Sequence, residues 1–132
     1  MAANAQSRLP QILRDTVVSL VRREGPDLTA RQLAVVLICY LEEGPHTVRG
    51  LAARLDVAKP AITRALDRLE QFDLAHRRQD PRDRRSIIVA RTPEGQAFLD
   101  SLRGMLEEAA KQAQGAVRAQ TIRASEERVA AG

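Results

Sequence analysis

Three arginines, Arg82, Arg84 and Arg85, lie within four residues of one another in a segment rich in turn-forming residues. The flanking segments Leu74–Arg78 and Ser86–Ala90 have the composition of β-strands, so the arginines lie at the end of a predicted hairpin. Three adjacent guanidinium groups cannot all find buried partners in such a loop. The loop is therefore either simply solvated or binds phosphate groups, which guanidinium recognises with paired N–H donors.

Two short amphipathic helices are predicted just before this hairpin. In each, apolar residues recur at positions i, i+3, i+4 and i+7, which places them on one helix face. The join between the helices, Leu55–Pro60, is too short for anything but a sharp turn, and Pro60 suits the first turn of the second helix. Two helices joined in this way form a helix-turn-helix, whose second helix can lie in a DNA major groove. The apolar positions are Val48, Leu51, Ala52 and Leu55, then Ile62, Ala65, Leu66 and Leu69.

The first turn and a half of that second helix is the part that reaches base edges in a helix-turn-helix. Thr63 can donate to a base or offer its methyl group to thymine, and Arg64 can pair with guanine or contact phosphate. The alternative is that these side chains only solvate an exposed helix face, but the arginine loop favours the DNA interpretation. The predicted DNA-binding residues are Arg49, Lys59, Pro60, Ala61, Thr63, Arg64, Arg68, Arg82, Arg84 and Arg85.

The segment from Thr47 to Arg91 resembles the winged-helix domain of the MarR family of bacterial transcription regulators. In that family the hairpin, called the wing, reads D-x-R-D-x-R and is followed by an apolar strand and Leu-Thr-x-x-Gly. This chain has Asp80-Pro81-Arg82-Asp83-Arg84-Arg85, then Ile87-Ile88-Val89, then Arg91-Thr92-Pro93-Glu94-Gly95. The helix-turn-helix also matches, with Leu51-Ala52, Leu55-x-Val57 and Ile62-Thr63-Arg64-x-Leu66-x-x-Leu69.

The chain departs from the family pattern at two positions of the turn. Asp56 stands where the family usually has glycine, and aspartate tolerates the left-handed backbone region better than most residues. Ala58 stands where the family often has serine, which removes a helix cap worth about 1 kcal/mol and one phosphate contact. Within the wing, we expect Arg84 to lie nearest the tip and to enter the minor groove. Arg82 and Arg85 either contact phosphate or pair with Asp80 or Asp83.

The resemblance implies a mostly α fold with a small β-hairpin wing, a winged helix-turn-helix core flanked by N- and C-terminal dimerisation helices. We expect one unit over residues 1–132, a DNA-binding lobe over 30–91 and dimerisation helices over 7–24 and 92–128. The N-terminal apolar stripe fits either core packing or a subunit interface. The C-terminal helix exceeds what the lobe can cover, so a second copy is its simplest partner. The predicted dimerisation residues are Leu9, Ile12, Leu13, Val17, Leu102, Leu106, Ala113 and Val117.

Charge and composition narrow the class of partner. The net charge is +4, and the stretch Thr47–Arg91 carries eleven basic and six acidic residues, so its excess of five accounts for the basic balance of the chain. A local basic excess of this kind is typical of a polyanion site. Aromatic residues make up only 2% of the chain, which argues against binding of single strands by base stacking.

The predicted function is a sequence-specific DNA-binding transcription regulator that acts as a homodimer on a pseudo-palindromic operator; repression is what the resemblance implies. The alternative is a winged-helix interaction module of a larger assembly without specific DNA readout. The resemblance also implies a small-molecule effector, for which the sequence indicates no pocket. We expect no enzyme activity, metal or cofactor, because phosphate loops, ligand clusters and an activated nucleophile are all missing.

The single cysteine, Cys39, lies in an apolar run, where a small buried hydrophobe is favoured over a redox sensor. A lone cysteine also fits a reducing compartment. No apolar run approaches the ~20 residues of a membrane span, and Met1–Ser7 lacks the order of a signal peptide. The expected location is the cytoplasm, with no membrane partner.

Overall fold

The computed structural model describes residues 5–132, with side chains described from Arg8 onward. Within these residues, five helices and a two-stranded antiparallel sheet follow one another, which confirms the mostly α fold with a β-hairpin wing. The first four residues of Met1–Ser7, the segment in which we expect no signal peptide, lie outside the described residues. The elements are α1 (Ala5–Arg22), α2 (Ala30–Leu41), α3 (Val48–Leu55), α4 (Lys59–Gln71), β1 (Ala75–Asp80), β2 (Asp83–Arg91) and α5 (Pro93–Ala131).

Two compact units make up the described chain. One unit, which we call the lobe, spans Pro26–Asp100 and contains α2, α3, α4, the hairpin and the start of α5. The other contains α1 and the part of α5 from Ser101 onward. The core of the lobe is mainly aliphatic and also includes Tyr40 and Phe98. The largest fully buried side chains are Leu51, Ile62, Leu66, Leu69, Val35 and Val36.

The central helix α2 begins at a capping box. The Thr29 hydroxyl accepts the backbone N–H of Gln32, and the Gln32 side chain accepts the backbone N–H of Thr29. Cys39 is buried in this helix, at 2% exposure. Leu41, at the end of α2, is 62% exposed.

The helix-turn-helix consists of α3 and α4. Asp56 adopts the left-handed conformation (φ 53°, ψ 49°) that the turn requires, and the backbone N–H of Val57 donates to the carbonyl of Ala52 at 3.0 Å. Ala58 has the extended backbone of an N-cap residue but supplies no side-chain acceptor. The turn therefore forms in spite of both departures from the family pattern. Ala58 leaves the start of α4 with one cap hydrogen bond fewer.

The hairpin is longer and its turn is tighter than the sequence predicted. β1 pairs with β2 from Ala75 opposite Arg91 to Gln79 opposite Ile87, and then Asp80 lies opposite Asp83. Only Pro81 and Arg82 form the turn. Arg84, Arg85 and Ser86 therefore form a bulge in β2 with no paired residue in β1. The hairpin is also tied to the helix-turn-helix, because Thr47, the N-cap of α3, forms a β-bridge with Ile88.

Helix α5 starts at a cap, since the Thr92 hydroxyl accepts the N–H of Gly95 at 2.9 Å. It is continuous through Gly104 and Gly115. Within residues 5–132, no helix is both long enough and apolar enough to cross a membrane.

Candidate nucleic-acid interface

The N-terminal half of α4 presents most of its predicted reading residues to solvent. Lys59, Pro60 and Arg64 are exposed and, together with the half-buried Thr63, border one open surface. The Thr63 hydroxyl donates to the carbonyl of Lys59 at 3.3 Å. Ala61 does not belong with them. It is only 8% exposed, because it precedes Ala65 by one helical turn and so falls on the core-facing side of α4.

Arg68 is held along α4. Its guanidinium donates to the side-chain oxygen of Gln71 at 3.0 Å and lies 4.5 Å from the centre of the Phe72 ring. Cation–π stacking of this kind fixes the direction of a long side chain without neutralising its charge. Arg68 thus presents a positive charge one turn beyond Arg64, as the sequence predicted for its position on the helix.

The wing carries its three arginines at different places from those expected. Arg82 lies in the turn itself, whereas Arg84 and Arg85 lie in the bulge of β2. The expectation that Arg84 is nearest the tip is therefore wrong, because the two-residue turn puts Arg82 there. The sequence had placed the turn within a seven-residue loop, and the extra pairing of Asp80 with Asp83 shortens it.

The acidic residues of the wing support its turn. The Asp80 carboxylate accepts the backbone N–H of Arg82 at 2.9 Å, and the Asp83 carboxylate accepts that of Arg85 at 3.0 Å. Across residues 8–132, no carboxylate forms an ion pair with the guanidinium groups of the three wing arginines. Of the two roles left open for Arg82 and Arg85, pairing with these aspartates is therefore not the one observed.

A groove of about 290 Å³ lies where α3, α4 and the wing meet. It brings together three cations from three elements, Arg49 at the start of α3, Lys59 at the start of α4 and Arg85 in the bulge, with Asp83 as the one carboxylate in its lining. The remaining lining residues are Thr47, Val48, Ser86 and Ile87. Three converging cations and the N-terminus of α3 suit an anionic group such as a phosphate.

Arg77 was counted among the cations of the basic stretch, but it is engaged within the protein. Its guanidinium contacts Glu70 (Nε to Oε1 3.1 Å, Nη2 to Oε2 3.0 Å) and Asp67 (Nη2 to Oδ1 2.5 Å). Its backbone N–H donates to Glu70 Oε1 at 2.7 Å, and Nη1 lies 3.5 Å from the carbonyl oxygen of Thr63. We call Arg77 with Thr63, Asp67 and Glu70 the Arg77 cluster. These bonds lower the pKa of Glu70, chiefly through the hydrogen bonds from the Arg77 side chain.

The sequence did contain a sign of this arrangement. Arg77 lies two residues after the buried Ala75 in β1, so both side chains fall on the face of the strand that looks toward the protein. Asp67 and Glu70 are three residues apart on α4 and therefore share a side of the helix. What the sequence could not give is the angle between hairpin and helix that lets one guanidinium reach both carboxylates.

Two further arginines of the basic stretch are also occupied internally. Arg54 donates to both carboxylate oxygens of Glu42, at 2.7 and 2.8 Å, and Arg91 donates to the carbonyls of Cys39 and Glu42 at 2.8 and 3.3 Å. The hydrogen bonds of Arg91 place a positive charge at the C-terminal end of α2, which the helix dipole favours. The positive surface of the lobe is therefore built from fewer side chains than the sequence count suggested.

Chemistry other than binding has little support in the lobe. Burial raises the pKa of the Cys39 thiol to about 11, with Arg91 acting weakly in the opposite direction, so the thiol is protonated and inert at neutral pH. Among the residues that the structure describes, no three His, Cys, Asp or Glu side chains are placed to hold a metal ion. The convergence of Arg49, Lys59 and Arg85 on one groove favours an anionic partner.

Comparison with known proteins gives consistent results. Residues 28–87 match the model of the MarR family. The chain is 32% identical over 89 residues to the HTH-type transcriptional repressor NicR of Pseudomonas putida, a match that covers 67% of this chain and 56% of NicR. The chain spans about half the length of the curated relatives it matches.

Solved structures show the same fold over nearly the whole chain. The crystal structure of MarR is 29% identical to it and superposes with a TM-score of 0.60 over 96% of this chain and 98% of that one. The S. aureus MepR–DNA complex, at 18% identity, has a TM-score of 0.64 over 91% of this chain and 93% of that one, and shares the fold.

Proposed function

Because this chain belongs to the MarR family of winged helix-turn-helix transcription regulators, we propose that it binds DNA sequence-specifically, as a homodimer on a pseudo-palindromic operator. The observation that carries the proposal is the convergence of Arg49, Lys59 and Arg85 on one groove beside the exposed start of α4. A partner that fills this groove and lies along α4 must present regularly spaced anionic groups next to hydrogen-bonding edges. Double-stranded DNA has this chemistry.

The roles of the DNA-binding residues follow from their positions. Helix α4 lies in the major groove, where Thr63 and Arg64 reach base edges and Lys59 and Pro60 approach the backbone. Arg49, Arg68, Arg84 and Arg85 contact phosphates. Arg82, at the tip of the wing, enters the minor groove, the role that the sequence had given to Arg84. Ala61 supports α4 from its buried side and makes no contact with a base.

The homodimer rests on the apolar surface of the unit that contains α1. Leu13 is 63% exposed, and Leu9, Val17, Val18 and Val21 on the same helix are also exposed. Such a stripe on a small protein is stabilised by burial against a second copy. Leu102 and Ala113, which we had assigned to the interface, are already buried within the chain, whereas Leu106 is exposed and Ile12 and Val117 are half-buried. A two-fold dimer presents two α4 helices to half-sites spaced by about one helical turn, ~34 Å.

Repression is the regulatory outcome that we favour. NicR, a relative of this chain, carries the name of a repressor. A dimer seated on two half-sites occludes a promoter without any further activity. We also propose that a small-molecule effector controls the protein. Only membership of the family supports this part of the proposal.

The first test is a fluorescence titration of the purified protein with DNA from its own promoter region at ~150 mM salt. We expect its specific site to be bound at least ~10³-fold more tightly than random DNA. Thr63→Ala should erode this selectivity, and Arg82→Ala should weaken binding to all sequences. Arg54→Ala is the matched control, because it also removes one positive charge from the lobe, but one that Glu42 already pairs. Equal, weak binding to every sequence would contradict the proposal and favour an interaction module.

The dimer is tested separately by sedimentation. Leu13→Glu places a charge in the exposed apolar stripe and should shift the protein to monomer, with loss of binding to the two-half-site operator. Leu41→Glu is the control, because Leu41 is exposed to the same extent but lies at the end of α2 in the lobe. Dissociation by both variants, or by neither, would count against the stripe as the interface.

A further inference from the structure

The Arg77 cluster joins the wing to the helix that we assign to the major groove. Its contacts on α4 are the carbonyl of Thr63 and the carboxylates of Asp67 and Glu70, which follow one another along a single side of the helix. On the side of the wing, Arg77 itself belongs to the first half of β1, where it is paired with Val89 of β2. A single side chain therefore spans two elements that carry the two sets of DNA-binding residues.

Guanidinium geometry makes this connection directional. Nε and Nη2 face the two oxygens of Glu70, and Nη2 also reaches Asp67, so the plane of the guanidinium group is fixed by two carboxylates. The backbone N–H of Arg77 also donates to Glu70, which holds the strand itself and not only its side chain. The Arg77 side chain is 26% exposed and that of Glu70 30%, so solvent screens these bonds only in part.

The cluster also changes the charge of α4. Asp67 and Glu70 lie on a helix that we assign to the DNA interface, where a bare carboxylate would repel phosphate. Arg77 pairs with both carboxylates from the side of the hairpin and offsets one of their two negative charges. The positive charge of Arg77 is thus balanced by ion pairs within the protein. The wing arginines, by contrast, have no ion pair in the described part of the chain.

We propose that Arg77 is a positioning residue, which fixes the wing relative to α4 so that the tip arginine and the base-contacting residues engage DNA together. This inference rests on the proposed function. When two contact sets are held at the correct separation, the second binds as an intramolecular event, and affinity rises without any new contact. Loss of the cluster frees the hairpin to move and removes that gain.

The decisive variant is Glu70→Ala. It deletes a negative charge from a DNA-facing helix, a change that by charge alone strengthens binding to a polyanion. The positioning role predicts the opposite, a loss of roughly tenfold in affinity for the specific site. Glu43→Ala is the control for charge, because Glu43 is exposed in the same lobe and makes no ion pair in residues 8–132. Unchanged or improved binding by Glu70→Ala overturns the inference.

A double-mutant cycle separates positioning from general damage to α4. In a background with Arg82→Ala, Arg84→Ala and Arg85→Ala, the wing has nothing left to place, so the Glu70→Ala loss should shrink to less than about twofold. A loss of the same size in both backgrounds would show that the cluster supports α4 alone and would overturn the positioning role.

Hydrogen exchange gives a readout that does not need DNA. Amides of residues 75–91 should exchange at least about threefold faster in Glu70→Ala than in the wild type, while those of 30–41 stay unchanged. Equal exchange in the hairpin overturns the inference even if DNA affinity falls. If the wild type shows no specific DNA binding, the proposed function fails, but this exchange experiment still decides whether the cluster holds the wing.

Discussion

Gly95 lies so close to Tyr40 that no side chain fits between the two residues. A Cβ built on Gly95 would overlap both the Tyr40 hydroxyl and the carbonyl oxygen of Leu74. The hydroxyl needs that place, since it accepts the backbone N–H of Thr92 at 2.8 Å and donates to the Leu74 carbonyl at 2.7 Å. One buried phenol thus joins α2 to the start of β1 and the start of α5.

Gly95→Ala should therefore destabilise the protein by at least about 2 kcal/mol, because the added methyl must displace either the Tyr40 ring or the backbone at Leu74. Urea unfolding followed by circular dichroism measures the change. The matched control is Gly104→Ala in the same helix, where no atom lies within 4 Å of the added Cβ. That variant should stabilise the helix by roughly 0.5–1 kcal/mol. A mild effect of Gly95→Ala, similar to that of the control, would contradict the close approach.

Ala58→Ser should stabilise the protein by about 1 kcal/mol. Ala58 already has the backbone conformation of an N-cap (φ −68°, ψ 147°). The N–H of Ala61 donates to the Ala58 carbonyl at 2.9 Å, and a serine hydroxyl would give it a second acceptor, whereas Pro60 has no N–H. Thermal unfolding of the variant measures the gain. Ala53→Ser, at an exposed position inside α3, is the control and should give no stabilisation, since the hydroxyl has no orphan N–H to accept there. Destabilisation by Ala58→Ser would mean that the cap geometry is not available.

The Cys39 thiol should be unreactive in the folded protein. Its pKa of about 11 leaves only about one thiolate in a thousand at pH 8, and its side chain is 2% exposed. A colorimetric disulfide reagent should therefore modify it at least a hundredfold more slowly in buffer than in urea, a rough bound set by burial and thiolate fraction together. Similar rates in the two conditions would instead point to an accessible thiol and a redox role.

The stability that Glu70 contributes should depend on pH in one direction. The Arg77 side chain lowers the pKa of Glu70 in the folded protein below its ordinary value of 4.5. The contribution is therefore complete above about pH 4.5 and is lost as the pH falls through the lower value of the folded state. The difference in free energy of unfolding between wild type and Glu70→Ala, measured from pH 7 to pH 3, should shrink in acid. A difference that stays constant or grows in acid would contradict the assignment.

The sequence predicted the structure best at positions where a residue type has a single local structural role, such as a helix cap or a turn. Thr29 with Gln32 has the pattern of a capping box, Asp56 suits a left-handed turn, and Thr92 before Pro93 has the pattern of a helix start; each feature is present. These features depend on neighbours within three or four residues, and local patterns therefore suffice to find them. The burial of Cys39 followed in the same way from the apolar run around it.

The misplaced features depend on pairing across distance. Arg84 was assigned to the tip because the loop was taken to be long, but the pairing of Asp80 with Asp83 shortens it and leaves Arg82 there. The sequence predicts a DNA contact for Ala61 because it lies in the first turn and a half of α4, but this residue is on the side of the helix that faces the core and is 8% exposed. Arg77 was counted as a free cation because its carboxylate partners belong to another element, at an angle that no local pattern specifies.

The two strands of the hairpin differ in length, and this difference determines where the sequence of the wing can vary. The base of the hairpin, from Ala75 opposite Arg91 to Gln79 opposite Ile87, keeps its register whatever the number of residues in the bulge that follows. Arg84, Arg85 and Ser86 have no strand partners, so exchanges or insertions there do not turn any core side chain outward. The bulge is therefore a place where evolution or an engineer can alter the outer contacts of the hairpin while its inner face, and the helices packed on it, keep the same sequence.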